Sequence, residues 1–169
     1  MSNEAQEPIE MGTNPVPEHD WLNNLLGEWR TVSEFVMEPG GPKGRSEGTE
    51  SVTSMGGLWA VSHGKSTMPD GKPTTMITTL GYDVSFKEYR GCFFMSASSH
   101  LWKYVGTLSA DGKTMTLNCD GPSMVEDGKT VPYRDVIELI DADARTLTSY
   151  GQDENGEWQE FMKATYTRL

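Results

Sequence analysis

From Gly27 onward the chain alternates apolar and polar positions with a period of two, and turn dipeptides punctuate the alternation. Asp-Gly-Lys recurs at Asp70–Lys72, Asp111–Lys113 and Asp127–Lys129, and Asn155-Gly156 adds a fourth. Such pairs supply the positive φ angles that tight hairpins require. Between them lie ten stretches that predict strands: Trp29–Met37, Thr49–Ser54, Leu58–Ser66, Thr74–Tyr82, Tyr89–Ala97, Leu101–Leu108, Thr114–Cys119, Tyr133–Ile140, Thr146–Tyr150 and Trp158–Arg168. No helical crossover interrupts them, so the pattern predicts an all-β, antiparallel, up-and-down meander. A sheet of that size must protect its edges, and closing into a barrel does so; a sandwich is the alternative the same spacing allows. A barrel of about eight to ten strands is wide enough to hold a small ligand. The glycine-rich stretch Pro39–Gly44 reads as a loop between the first two strands, because it lacks the Gly-Lys-Ser/Thr ending of a phosphate cradle.

Ahead of the strands the pattern changes. Residues 1–16 are polar, acidic and interrupted by Pro8 and Pro15, which predicts a disordered arm, with a single domain over 17–169. Trp21, Leu22, Leu25 and Leu26 then fall on one face at helical spacing, after Pro17 and with Glu18 and Asp20 in the first turn. A short N-terminal amphipathic helix is expected, ended by Gly27 and serving as a lid or plug on the barrel.

Charge narrows the partners. The formal net charge is −11, which repels phosphate backbones and anionic lipid, so neither nucleic acid nor membrane is expected as a partner. The hydrophobic content of 36%, with five Trp, six Tyr and five Phe, suffices for one packed interior. Cys92 and Cys119 do not make a disulfide framework. The first 29 residues carry six acids and no Lys or Arg, the reverse of a secretory signal. The expected setting is therefore reducing and cytoplasmic, with both thiols free.

Particular residues carry a resemblance. Gly27-Glu28-Trp29 after a short helix resembles the Gly-x-Trp opening of the lipocalin-like (calycin) barrels. More specifically, the chain resembles the uncharacterised family catalogued as domain of unknown function 1579. The matching pieces are Gly56-Gly57-Leu58-Trp59, Leu80-Gly81-Tyr82-Asp83, Gly106-Thr107-Leu108, Tyr133-Arg134 and Tyr166-Thr167-Arg168. The resemblance implies a calycin-like barrel of about ten strands with a small-molecule pocket, and it implies no activity. It also implies that Arg168 lies across Trp29 as a structural clasp between the last strand and the first. Nitrobindin-like members of the calycins bind haem through a histidine late in the chain; here the last histidine is His100, so neither haem nor any other cofactor is expected.

The candidate chemistry is sparse. No Cys-x-x-Cys, His-x-x-x-His or Gly-x-Ser-x-Gly pattern is present, so no metal site or serine elbow is indicated. His63 shares strand parity with Trp59 and Val61 and points inward if they do, as a ligand contact or a base; a lone histidine on an apolar face is more often a satisfied core group. Arg134, facing the lumen, would hold a carboxylate on its planar fork; facing outward, it is a surface residue paired with an acid. Asp83 reads as a turn cap, and Cys92 and Cys119 as small buried hydrophobes. Phe93, Phe94, Met95, Trp102, Tyr104, Met162 and Tyr166 lie on neighbouring strands, and alternation sends about half of them inward.

These readings combine into one expectation: a module that binds a small hydrophobic or amphipathic molecule, with Trp59, His63, Phe94, Trp102, Tyr104 and Arg134 lining the lumen. The alternatives are a filled structural barrel acting through its surface, as a homodimer for instance, and a small-molecule isomerase or hydrolase built around His63.

Overall fold

The computed structural model describes residues 12–36, 40–68 and 70–169. Residues 1–11 of the expected arm, Met37 of the first expected strand and Pro39 of the glycine-rich loop lie outside the described residues. Ten antiparallel strands form a closed barrel: β1 (Gly27–Val36), β2 (Lys43–Met55), β3 (Trp59–Thr67), β4 (Pro73–Asp83), β5 (Glu88–Met95), β6 (Trp102–Leu108), β7 (Thr114–Pro122), β8 (Thr130–Leu139), β9 (Ala144–Gln152) and β10 (Trp158–Arg168). Each pairs with its sequence neighbour, and β1 pairs with β10, from Trp29 opposite Arg168 to Phe35 opposite Met162, which closes the barrel and leaves no edge. The turn glycines Gly71, Gly112, Gly128 and Gly156 all adopt positive φ, as their Asp-Gly and Asn-Gly dipeptides predict.

The strand β2 begins six residues earlier than the apolar pattern predicts. Its first half, Lys43-Gly44-Arg45-Ser46-Glu47-Gly48, alternates exposed charges with small residues instead of apolar ones, so it carries no hydrophobic signal. The small residues are needed where they stand. A Cβ on Gly48 would lie 2.2 Å from the Lys65 carbonyl oxygen, and one on Gly44 would lie 2.3 Å from the Phe35 ring.

The helix is a 3-10 helix, Pro17–Leu25, rather than an α-helix. The i+3 bonds from the His19 amide to the Val16 carbonyl and from the Leu26 amide to the Asn23 carbonyl tighten its ends. It still plugs one end of the barrel with the expected residues: Trp21, Leu22 and Leu25 are buried. The Trp21 indole donates to the Gly112 carbonyl at 2.9 Å, and the Tyr89 hydroxyl donates to the Glu18 carbonyl at 2.7 Å. Beneath the plug lies the packed core of Trp29, Val52, Ala60, Leu80, Tyr89, Met115, Leu117 and Ile137.

Gly27 opens β1 instead of capping the helix, at φ +114°. A Cβ there would stand 2.6 Å from the Arg168 Nη1, the atom that donates to the Leu26 carbonyl at 2.6 Å. Gly27→Ala should therefore lower stability by roughly 1–3 kcal/mol, from left-handed backbone strain and the displaced guanidinium. The midpoint of urea unfolding checks it, and an unchanged midpoint would show that Arg168 gives way freely.

Candidate functional site

Directly opposed residues of antiparallel strands share a face, so the register fixes which side chains enter the lumen. The inner face runs through Trp29 and Glu50 to Gly64 and Met76, through Ser62, Thr78, Phe93 and Trp102, and through Tyr133, Gly151, Asp135, Leu117 and Ser149. The two halves of the wall differ. On β1 to β4 it is built mainly from small and hydroxyl residues: Thr31, Ser33, Ser46, Gly48, Ser62, Gly64, Ser66 and Thr78. On β5 to β10 it carries the bulk: Phe93, Trp102, Tyr104, Tyr133 and Tyr166.

Toward the end away from the plug, aromatic rings form a shelf. Phe93 and Trp102 pack with ring centroids 5.4 Å apart, His100 meets Trp102 edge-on at 4.8 Å, and Tyr133 meets Phe161 edge-on at 5.8 Å. Gly121 makes room for Trp102, since a Cβ there would lie 2.4 Å from its Nε1. Phe93, Trp102, Phe161 and Met162 are only half-buried. These side chains therefore keep accessible surface at the end of the barrel away from the plug.

Two polar groups sit between shelf and core. In the first, the buried Arg145 on β9 reaches across the lumen to the Glu50 carboxylate on β2, which also accepts from the Ser62 hydroxyl. The Arg145 guanidinium lies 3.8 Å from the Tyr166 ring centroid and 4.8 Å from that of Trp29. In the second, the Asp135 carboxylate accepts from the Tyr104 hydroxyl and, at 2.5 Å, from the Ser149 hydroxyl. Burial pushes the Asp135 carboxyl above the usual carboxylate range, against the two hydroxyl donors that lower it. Burial, then the Asp135 charge, pushes Tyr104 well above the ordinary phenol range, and the same two causes push Cys119 up to about 12. Both are thereby held toward the protonated form at neutral pH. Burial first, and the Glu50 charge second, also raises Tyr166.

The expected lining residues divide. Trp102 and Tyr104 face the lumen. Trp59, His63, Phe94 and Arg134 face outward, which corrects the expectation for those four. On β3 the inward parity belongs to Ala60, Ser62 and Gly64, so the large residues are outside; Trp59 covers Gly81, where a Cβ would lie 2.5 Å from its ring. His63 is exposed, and a lumen base at that position is excluded with it. Phe94 is 41% exposed while its neighbour Phe93 points in. Arg134 stacks 4.1 Å over the Trp158 ring and donates its Nε to Asn118 Oδ1 at 3.2 Å, on the outer face. The wall residues that the sequence reading did not place are Glu50, Phe93, Asp135, Arg145 and Ser149. Asp135 was within reach, because it shares parity with the apolar Ile137 and Leu139. Arg168 lies 4.2 Å over the Trp29 ring. Among the described residues no group of three His, Cys, Asp or Glu side chains is arranged to hold a metal ion. A separate groove of about 630 Å³ runs along the outside of β6 to β8, lined by Leu101, Lys103, Val105, Asn118, Pro132 and Trp158 among others.

Fold and lumen together define a closed, ten-stranded, antiparallel up-and-down β-barrel with one plugged end. The chain belongs to the family of proteins of unknown function DUF1579, whose model matches residues 14–168. No curated protein matches the sequence. Among solved structures the chain is similar to Rv2717c from M. tuberculosis, at 16% identity and a TM-score of 0.64, over 92% of this chain and 99% of that one. It is also similar to the S-type phycobiliprotein lyase CPES from Guillardia theta, at 12% identity and a TM-score of 0.58, over 91% and 93% of the two chains. At these identities the likeness is one of fold.

Because folding raises the Asp135 pKa above its ordinary 3.8, the native state binds more protons than the unfolded chain once the pH exceeds that value. The Asp135 contribution to stability is thus greatest in acid and declines as pH rises through the folded-state pKa. Asp135→Asn, which has no such charge to bury, should gain on the wild type as pH rises from 3.5 to 8. Urea midpoints of the two proteins across that range check it; a variant-minus-wild-type difference that stays constant or falls as pH rises would contradict the assignment.

Proposed function

We propose that this protein binds a small, mostly apolar molecule in the half of its lumen away from the plug. The observation that carries the reading is the half-buried shelf of Phe93 and Trp102 facing a wall of serine, threonine and glycine. Bulky rings on one side and mostly small residues on the other favour a barrel that is lined rather than filled. Trp102 and Tyr104 are the proposed contacts, the ring as a stacking surface and the phenol as part of the polar floor. A barrel of similar fold is a phycobiliprotein lyase, so the architecture is compatible with handling a small organic group. A filled barrel acting through its outer face is the competing reading, and the groove along the outside of β6 to β8 is the feature that speaks for it.

Native mass spectrometry of the purified protein, followed by extraction, tests the proposal. A reproducible additional mass is expected, and Trp102→Ala should weaken its retention about tenfold or more, the loss of one stacked aromatic surface. A bare polypeptide mass, together with failure of apolar fluorophores to bind or to respond to Trp102→Ala, would leave the filled barrel.

A further inference from the structure

The charges on the lumen wall do not cancel. Glu50 and Arg145 neutralise each other, and the guanidinium is stacked on Tyr166 besides. Arg168 is turned to the plugged end, where it donates to the Leu26 and Ala142 carbonyls and approaches Asp143 at 3.4 Å. Asp135 alone has no cation: among the described residues no Lys, Arg or His side chain pairs with it, and only two hydroxyls donate to it. Tyr104 and Ser149 are buried, and Asp135 between them is half-buried as a residue. A carboxylate that accepts two hydrogen bonds retains further lone-pair capacity on each oxygen. The residue next inward along the strand is Ile137 and the next outward is Tyr133, so the acid lies at the foot of the aromatic shelf.

We propose that the lumen ligand is an amine, a protonated nitrogen on an apolar or aromatic body, whose ammonium group is received by the Asp135 carboxylate while its body lies on Phe93 and Trp102. This rests on the reading of the lumen as a small-molecule site and gives it a substrate class. A buried, unpaired carboxylate is costly, and a cation brought in by the ligand offsets that cost where a neutral or anionic head does not. The surface acts in the same direction, since a net charge of −11 draws cations toward the chain. An acidic head group is disfavoured: Arg134 is on the outer face and Arg145 is already paired.

Three probes of one shape separate the possibilities: 1-naphthylmethylamine, 1-naphthylmethanol and 1-naphthylacetate, titrated by calorimetry into wild type, Asp135→Asn, Trp102→Ala and Arg134→Ala. The amine should bind wild type at least tenfold more tightly than the alcohol or the acetate. Asp135→Asn should abolish that preference while the alcohol still binds, Trp102→Ala should weaken all three, and Arg134→Ala should change none. A second measurement needs no variant. The titratable groups facing Asp135 are Tyr104, Cys119 and Tyr166, all held protonated, with Glu50 and Arg145 paired beyond them. Acidification should therefore erase the preference for the amine by protonating Asp135. An acetate bound as tightly as the amine, or an amine preference that survives Asp135→Asn or acidification, overturns the amine assignment and leaves the lumen site standing. If no probe binds in a Trp102-dependent manner, the lumen site falls and the amine assignment with it.

Discussion

Trp29 is buried to 1% exposure at the point where the plug, the first strand and the last strand meet, and the barrel is closed around it. Its indole donates to the Leu25 carbonyl of the plug at 2.9 Å. Two guanidinium groups lie near its ring: Arg168 from the end of β10 at 4.2 Å and Arg145 from the start of β9 at 4.8 Å. Each cation–π contact contributes roughly 0.5–2 kcal/mol, the larger figure applying where water is excluded. Arg168 extends the tie by donating to the Leu26 and Ala142 carbonyls, which joins the helix-to-strand junction to the β8–β9 turn. The cluster stands at one end of the β1–β10 ladder, the pairing that spares both strands an exposed edge.

The same cluster sets the polarity of the lumen. Arg145 is held by Trp29 and Tyr166 in a position from which it reaches Glu50, and that pairing removes the one lumen guanidinium that a ligand carboxylate would seek. Asp135, on the neighbouring strand, has only hydroxyl partners among the described residues. A buried acid without a counter-charge lowers stability, and such groups occur where a site is prepared for something that arrives from outside. The small residues of β1 to β4 contribute the other requirement, which is space. A Cβ on Gly48 would meet the Lys65 carbonyl oxygen and one on Gly64 the Met76 side chain, so these two positions themselves add no bulk to the lumen.

Much of this was legible in the residue order. Ten strands, their hairpin turns and the plug with Trp21, Leu22 and Leu25 follow from local rules: period-two alternation, the positive φ demanded by Asp-Gly, and an apolar face at helical spacing. Locally the chain was less decisive where polar residues face inward. Lys43 to Gly48 has no apolar member, so nothing marks it as strand until β1 pairs with it. On β3 the expectation followed the large residues Trp59 and His63 inward, whereas Ala60, Ser62 and Gly64 hold that side. Size is a poor guide to orientation in a wide barrel, because a ring laid over a glycine such as Gly81 buries nearly as well outside as within.

The sequence by itself determined the strand count, the turns and the aromatic residues available for the seam, because each depends on neighbours a few residues away. Only the tertiary structure decided which face of each strand looks inward, since parity follows from the register of each ladder around the closed ring, including the bulge between Glu160 and Met162. It also decided that Arg145 meets Glu50 from 95 residues away, and that Asp135 has only hydroxyl partners among the described residues. Pairings of that range are products of closure, and the order of residues along the chain carries no local trace of them.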